Sequence, residues 1–196
     1  MKIILDNGHG INTLGKCSPD KRVLEWKETR NIVDMLHREL EQRGYDVVKL
    51  VPEDKDISLR ERCNRVNAIT KAAGGSKNAL LVSIHLNAAG GDGKWHSAQG
   101  FSAHVAPNAS TNSKKLAKLL WDEAIVQELK GNRCVPNSRY IVQNLAMCRD
   151  TNCPAVLTEN LFMDNREDAE TILSMGGRIR IVRAHLDGII RYIEGV

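Results

Sequence analysis

Three short apolar runs in this chain each stop abruptly at a residue capable of chemistry. Ile3-Ile4-Leu5 leads into Asp6-Asn7-Gly8-His9-Gly10, residues 79–84 lead into His85, and Ala155-Val156-Leu157 lead into Thr158-Glu159. The runs are continuous rather than alternating and too short for helices, which marks strands buried on both faces of a parallel sheet. Between them the apolar period lengthens to that of a helix. Residues 26–43 place Ile32, Met35, Leu36 and Leu40 on one face, with Gly44 as the terminating residue. Residues 57–73 do the same with Leu59, Val66 and Ile69 before Gly74-Gly75, and residues 114–129 with Leu116, Leu119, Leu120 and Ile125. Asn165 caps a helix over 166–174, and Gly176-Gly177 separates it from a last helix over 178–194 that turns Ile179, Val182, Leu186, Ile189 and Ile190 inward. Residues 45–51 and 100–106 read as further strands, with an extended piece at 140–142.

Strands alternating with helices predict a three-layer α/β/α sandwich with a mostly parallel central sheet, filling residues 1–196 as a single domain without repeats or linkers. Crossovers between parallel strands share one hand, so the strands that end in His9 and His85 deliver both imidazoles to the same edge. That carboxyl-terminal edge is where open α/β sheets bind their ligands. Glycines on both sides of His9 permit a tight turn there. The irregular stretch 11–22 then leads to Glu25, at the amino end of the first helix, where a carboxylate also complements the helix dipole. Glu28 lies one turn further on. The remaining histidines read as structural: His104 on an outer or edge face, His37 and His185 at helix surfaces, and His96 in a polar, glycine-rich rim over 87–99.

Composition narrows the function. Aromatic residues make up 4% of the 196 residues, too few for a ring-lined sugar or base platform, and Trp26, Trp95 and Trp121 are dispersed. The net charge of +4 is spread along the chain, which disfavours a dedicated nucleic-acid arm. Five cysteines without a CxxC pair read as reduced thiols rather than a zinc site. No apolar run approaches the roughly 18 residues that span a bilayer, so stable membrane insertion is not expected. The start of the chain reads as a strand and not as a signal peptide, so the chain is expected to be made in the cytoplasm.

Two imidazoles and one carboxylate are the protein ligands of many catalytic zinc sites, and a second, non-ligating carboxylate serves such sites as general base. The residues alone leave Glu25 and Glu28 as alternatives for the ligand. LDNGHG, Leu5 to Gly10, resembles the LDPGHGG motif of zinc-dependent N-acetylmuramoyl-L-alanine amidases of the amidase family 3 type, departing from it at Asn7 and Ile11. SIHLNA, Ser83 to Ala88, is similar to that family's SIHxNA, and PAVLTENLFMDN, Pro154 to Asn165, resembles its PAVLVExGFxSN. Leu59, Arg62 and Asn67 resemble its LxxRxxxAN helix. The resemblance implies His9, Glu25 and His85 as zinc ligands, Glu159 as the catalytic carboxylate, and peptidoglycan as the partner. The reaction implied is hydrolysis of the amide between N-acetylmuramic acid and L-alanine, in an endolysin-like enzyme that reaches the wall after release or by another export route. The alternatives are a peptidoglycan-binding protein without catalysis and a zinc peptidase acting on another amide of the same polymer. No substrate-contacting residue is assigned; Asn87, Asn160, Trp95, His96, Arg139 and Tyr140 are those placed near the edge.

Overall fold

The computed structural model describes residues 1–195. Its sheet has six strands in the order β2-β1-β3-β6-β4-β5. They are β1 (Lys2–Asn7), β2 (Val47–Lys49), β3 (Ala79–Asn87), β4 (Ser102–Val105), β5 (Ile141–Val142) and β6 (Ala155–Phe162). The first three and β6 are parallel, whereas β4 runs antiparallel to β6 and carries β5 parallel to itself. The helices are α1 (Glu25–Gln42), α2 (Leu59–Ala72), α3 (Thr111–Val126), α4 (Ala146–Arg149), α5 (Arg166–Leu173) and α6 (Met175–Glu194).

The continuous apolar runs arise from two cores. Ile3, Leu5, Leu80, Val82 and Val156 point to one side and pack against α1, α3, α5 and α6. Ile4, Leu81 and Ala155, one residue out of phase, point to the other and pack against Cys63 and Val66 of α2 and Met147 of α4. The second layer is the thinner one, and α4 leaves no helical signal in the sequence because its four residues are too few to show a period.

Several expected placements are corrected. Leu59, Ile125 and Ile179 are exposed, not inward-facing. Leu59 opens α2 beyond the surface that Arg62, Cys63 and Val66 cover, Ile125 lies over the loop at Gly131, and Ile179 sits in an open groove between α1 and α6. Gly176 and Gly177 do not separate two helices. Both lie in the first turn of α6, whose cap is Ser174, its hydroxyl accepting from the Gly177 N–H at 3.0 Å. A side chain at Gly177 would stand 1.9 Å from the Thr171 carbonyl, so the glycine lets α5 and α6 meet. His104 and His185 are buried, against expectation. His185 is satisfied inside the core: its Nδ1 donates to the Ile181 carbonyl at 2.8 Å and its Nε2 accepts from the Thr158 hydroxyl at 2.9 Å. All five cysteines are free thiols.

Candidate metal centre

The site is built where β1 and β3 end and α1 begins. The left-handed backbone needed to turn the chain after β1 falls on His9 itself, with φ of 60°, and not on the flanking glycines. The glycines are required by proximity instead. A Cβ at Gly8 would lie 2.5 Å from His85 Nδ1, and one at Gly10 would lie 2.0 Å from the Asp56 backbone nitrogen. A non-glycine residue in this conformation costs on the order of 1–2 kcal/mol and persists only where its surroundings enforce it. Here the His9 carbonyl is held by two guanidinium groups, Arg30 at 3.0 Å and Arg62 at 3.3 Å.

Arg62 also anchors the strand end. It is buried, pairs with the buried Asp6, and donates to the Asn7 carbonyl at 2.7 Å and to Asp56 at 2.8 Å. Ser83 donates to the second oxygen of Asp6. Sequence reasoning misses the part played by Asp6. The signal that could mark it is a charged residue inside an apolar run, which must find a buried partner.

Glu25 is the first residue of α1, its N–H bonded to the Lys16 carbonyl at 3.0 Å, and it is 1% exposed. Its two carboxylate oxygens face the two imidazoles. Oε1 lies 3.1 Å from His85 Nδ1 and accepts the Leu86 N–H at 3.1 Å, while Oε2 lies 3.3 Å from His9 Nε2. The rings stand at 83° to one another, 5.2 Å between centroids. One ligand atom from each of the three residues falls within 4.8 Å of the others, close enough for a shared metal ion, and both imidazoles keep an open side. Two imidazoles and a carboxylate at this separation fit zinc chemistry, with a position left for a further ligand. Glu28, also buried, is engaged elsewhere: Arg178 and Asn31 donate to its Oε2 at 3.0 and 3.2 Å.

The electrostatics reflect a buried anion between two bases. Burial alone would raise Glu25, yet the hydrogen bond and charge of His85, with His9, hold its carboxyl below the usual range. Burial pulls His85 down, and Glu25 more than offsets this, leaving it above its ordinary value. His9 is lowered, chiefly by burial.

Glu159 is the register partner of His85 across the β3–β6 ladder, so the two side chains leave the same face. Its Oε2 is buried and has no hydrogen-bond partner. Burial pushes its carboxyl up to about 7, opposed by the charge of His85 and reinforced by that of Glu25. Just beyond it β6 carries one extra residue relative to β3, with Leu161 in the left-handed region at φ 72°, a bulge of the kind that re-aims strand ends. Asn160 serves the backbone, its amide donating to the His85 carbonyl at 3.0 Å. Asn87 likewise accepts from the next N–H. Trp95 stacks under Arg166, His96 pairs with Asp92, and Arg139 pairs with Asp122, while Tyr140 packs on the main core.

Comparison with known proteins identifies the family. Residues 3–191 match the family model described as N-acetylmuramoyl-L-alanine amidase, Amidase_3. The chain is 30% identical over 194 residues to the endolysin of Bacillus phage SPP1, covering 97% of this chain and 65%, just under two thirds, of that relative's length. It is 28% identical over 193 residues to the N-acetylmuramoyl-L-alanine amidase CwlM of Bacillus licheniformis, covering 97% of this chain and 68% of the relative. The fold is shared with the N-acetylmuramyl-L-alanine amidase Ami1 of Mycobacterium smegmatis, with a TM-score of 0.85 at 17% identity over 100% of this chain and 98% of that one. It is also shared with the N-acetylmuramoyl-L-alanine amidase of Clostridium difficile 630, with a TM-score of 0.82 at 24% identity over 98% and 96% of the two chains. The chain therefore belongs to the N-acetylmuramoyl-L-alanine amidase family, Amidase_3.

Proposed function

We propose that the chain is a zinc-dependent hydrolase of the amide that joins N-acetylmuramic acid to L-alanine in peptidoglycan. The observation that carries this reading is the convergence of His9, Glu25 and His85 around one point, with the unpartnered carboxyl of Glu159 in register beside His85. His9, Glu25 and His85 would hold the zinc, which when bound supplies Lewis acidity that acidifies water and stabilises negative charge on a carbonyl oxygen.

The protein's own groups carry the proton movements. Glu159 is half-buried with its Oε2 shielded from solvent, and burial raises its basicity toward neutrality, which suits a group that must both take and give a proton. It takes a proton from the water that attacks the lactyl carbonyl carbon, and returns it to the alanine nitrogen as the C–N bond breaks. The products are a muramic-acid carboxylate and a peptide with a free amino terminus. The Arg62–Asp6 pair and the Arg30 and Arg62 contacts to the His9 carbonyl hold the His9 turn in place throughout.

The assignment of Glu25 over Glu28 is supported by Glu28's engagement with Arg178. Similarity to a protein named an endolysin, from Bacillus phage SPP1, supports a role in wall lysis. Among the described residues no helix is long and apolar enough to cross a membrane. The same four residues would serve a zinc peptidase of another wall amide, and the match to the amidase family is what favours the N-acetylmuramic acid–L-alanine bond. The test is digestion of purified cell walls by zinc-loaded protein, by the same protein after chelation and dialysis, and by Glu159→Gln. We expect release of soluble material by the first alone; lysis by the chelated protein or by Glu159→Gln would overturn the reading.

A further inference from the structure

The loops that bring the metal ligands into place also wall a cleft that the chemistry above does not use. Residues 11–22 run from His9 towards Glu25, and the Lys16 carbonyl accepts the Glu25 N–H at 3.0 Å. The facing wall starts at Ala88, just past His85 and the end of β3, and includes Met163 and Asp164, which follow β6. The cleft between them holds about 430 Å³, within the range of small-ligand sites. Both walls are tied down. Asp164 Oδ2 accepts the Ala89 and Gly90 N–H groups at 2.8 and 3.1 Å, and the Asp164 carbonyl accepts the His96 N–H at 2.7 Å. Opposite, the Ser18 hydroxyl donates to Asp20 at 2.6 Å and accepts the Val23 N–H at 3.0 Å, while the Ser18 carbonyl accepts the Lys21 N–H at 2.9 Å.

The charge of this cleft is one-sided. Lys16 and Lys21 line it, both exposed, and among the described residues neither ammonium group has an ion-pair partner. The acidic lining residue, Asp164, is 4% exposed, with Oδ2 committed to the rim backbone and Oδ1 shielded from solvent. Burial dominates the shifts of His9 and Glu159, and the Lys16 charge adds to the first and opposes the second, so its ammonium lies within electrostatic reach of the metal centre. We infer that the cleft receives the peptide arm of the substrate, and that Lys16 and Lys21 select for a stem whose glutamate α-carboxyl is free over one in which it is amidated. The inference rests on the amidase reading. An amide held at the metal centre has two arms. With its lactyl carboxyl in the amide, the sugar arm carries no charge. The peptide arm, L-alanine followed by a γ-linked D-glutamate, carries a carboxylate at its second residue unless that group is amidated. Two unpaired ammonium groups beside a shielded acid complement the peptide arm and offer the sugar arm nothing.

Two disaccharide-tripeptides that differ only in that carboxyl, free in one and amidated in the other, test this. With zinc-loaded protein the ratio of kcat/KM, free over amidated, is expected to be about tenfold, the size of two partly screened ion pairs. Lys16→Met combined with Lys21→Met should bring the ratio to within about twofold of unity, and Lys16→Arg combined with Lys21→Arg should retain it. Salt at about 0.5 M should shrink it in wild type. A purely structural role for the lysines would affect both substrates alike and leave the ratio standing. The same ratio is expected in Kd, measured by calorimetry on zinc-loaded Glu159→Gln, where no turnover intervenes. A wild-type ratio below about twofold, a ratio unmoved in the methionine pair, or a ratio lost in the arginine pair would each overturn the inference. If wild type cut neither muropeptide while the Kd ratio persisted and fell with the methionine pair, the cleft assignment would stand and the amidase reading beneath it would fall.

Discussion

Removal of His185 should flatten the acid side of the stability profile. This imidazole, on the core-facing side of α6, is fully buried, donates to the Ile181 carbonyl and accepts from Thr158, and lies edge-on to Phe101 at 6.1 Å. Burial pushes it down to about 4, with the Ile181 bond a smaller opposing effect. In the unfolded chain a histidine titrates near 6.5. Between these values the unfolded state binds a proton that the folded state refuses, so stability falls as pH falls from about 6.5 to about 4. The interval is worth about 3 kcal/mol in full at 1.36 kcal/mol per pH unit, and about 2 kcal/mol of it is lost between pH 7 and pH 5. Other groups titrate over the same range, Glu159 with the opposite sign, so the comparison must be with His185→Gln and not with wild type alone. Urea unfolding at pH 7 and pH 5 should show wild type losing about 2 kcal/mol more than the variant. A loss equal in the two proteins to within about 0.5 kcal/mol would refute the reasoning, because the effect requires a neutral, buried imidazole in the native state.

Three further outcomes follow from the site. Arg62→Met leaves Asp6 charged and buried without its guanidinium, and should cost about 3–5 kcal/mol in urea unfolding, with Asp6→Leu in the same chain restoring much of it; a cost under about 1 kcal/mol would show that the pair is solvated. Gly8→Ala puts a methyl group 2.5 Å from His85 Nδ1 and should weaken zinc binding at least tenfold, measured by competition with a chromophoric chelator, while the circular dichroism spectrum is retained; unchanged affinity would mean that the His85 ring has room to move. Glu25→Gln should lose stoichiometric zinc by elemental analysis and Glu28→Gln should keep it, since only the former carboxylate faces both imidazoles; the reverse pattern would exchange the two assignments.

The sheet is legible in the sequence because its strands are buried on both sides, and an unbroken apolar run of strand length bounded by polar turns has little else to form. The common edge of His9, His85 and Glu159 then follows from crossover handedness, and the structure places all three there with Glu25. What is illegible depends on distant partners. Asp6 finds Arg62 at a separation of 56 residues, and His185 finds Thr158 at a separation of 27. Without those partners each residue reads as one that belongs outside. Helical period gives the phase of a face but not how far the neighbouring surface extends, which is why it puts Leu59, Ile125 and Ile179 inside. The glycines around His9 suggest a conformational need when the constraint is space, a distinction visible only once His85 and the Asp56 backbone are in position.

The most direct measurement is the identity of the bond cut. Purified muropeptides incubated with zinc-loaded protein and analysed by mass spectrometry should yield peptides with a free L-alanine amino terminus and sugars that have lost the peptide, with neither product formed after chelation or by Glu159→Gln. Cleavage inside the stem peptide or between sugars, or intact muropeptides retained by metal-loaded protein, would contradict the account.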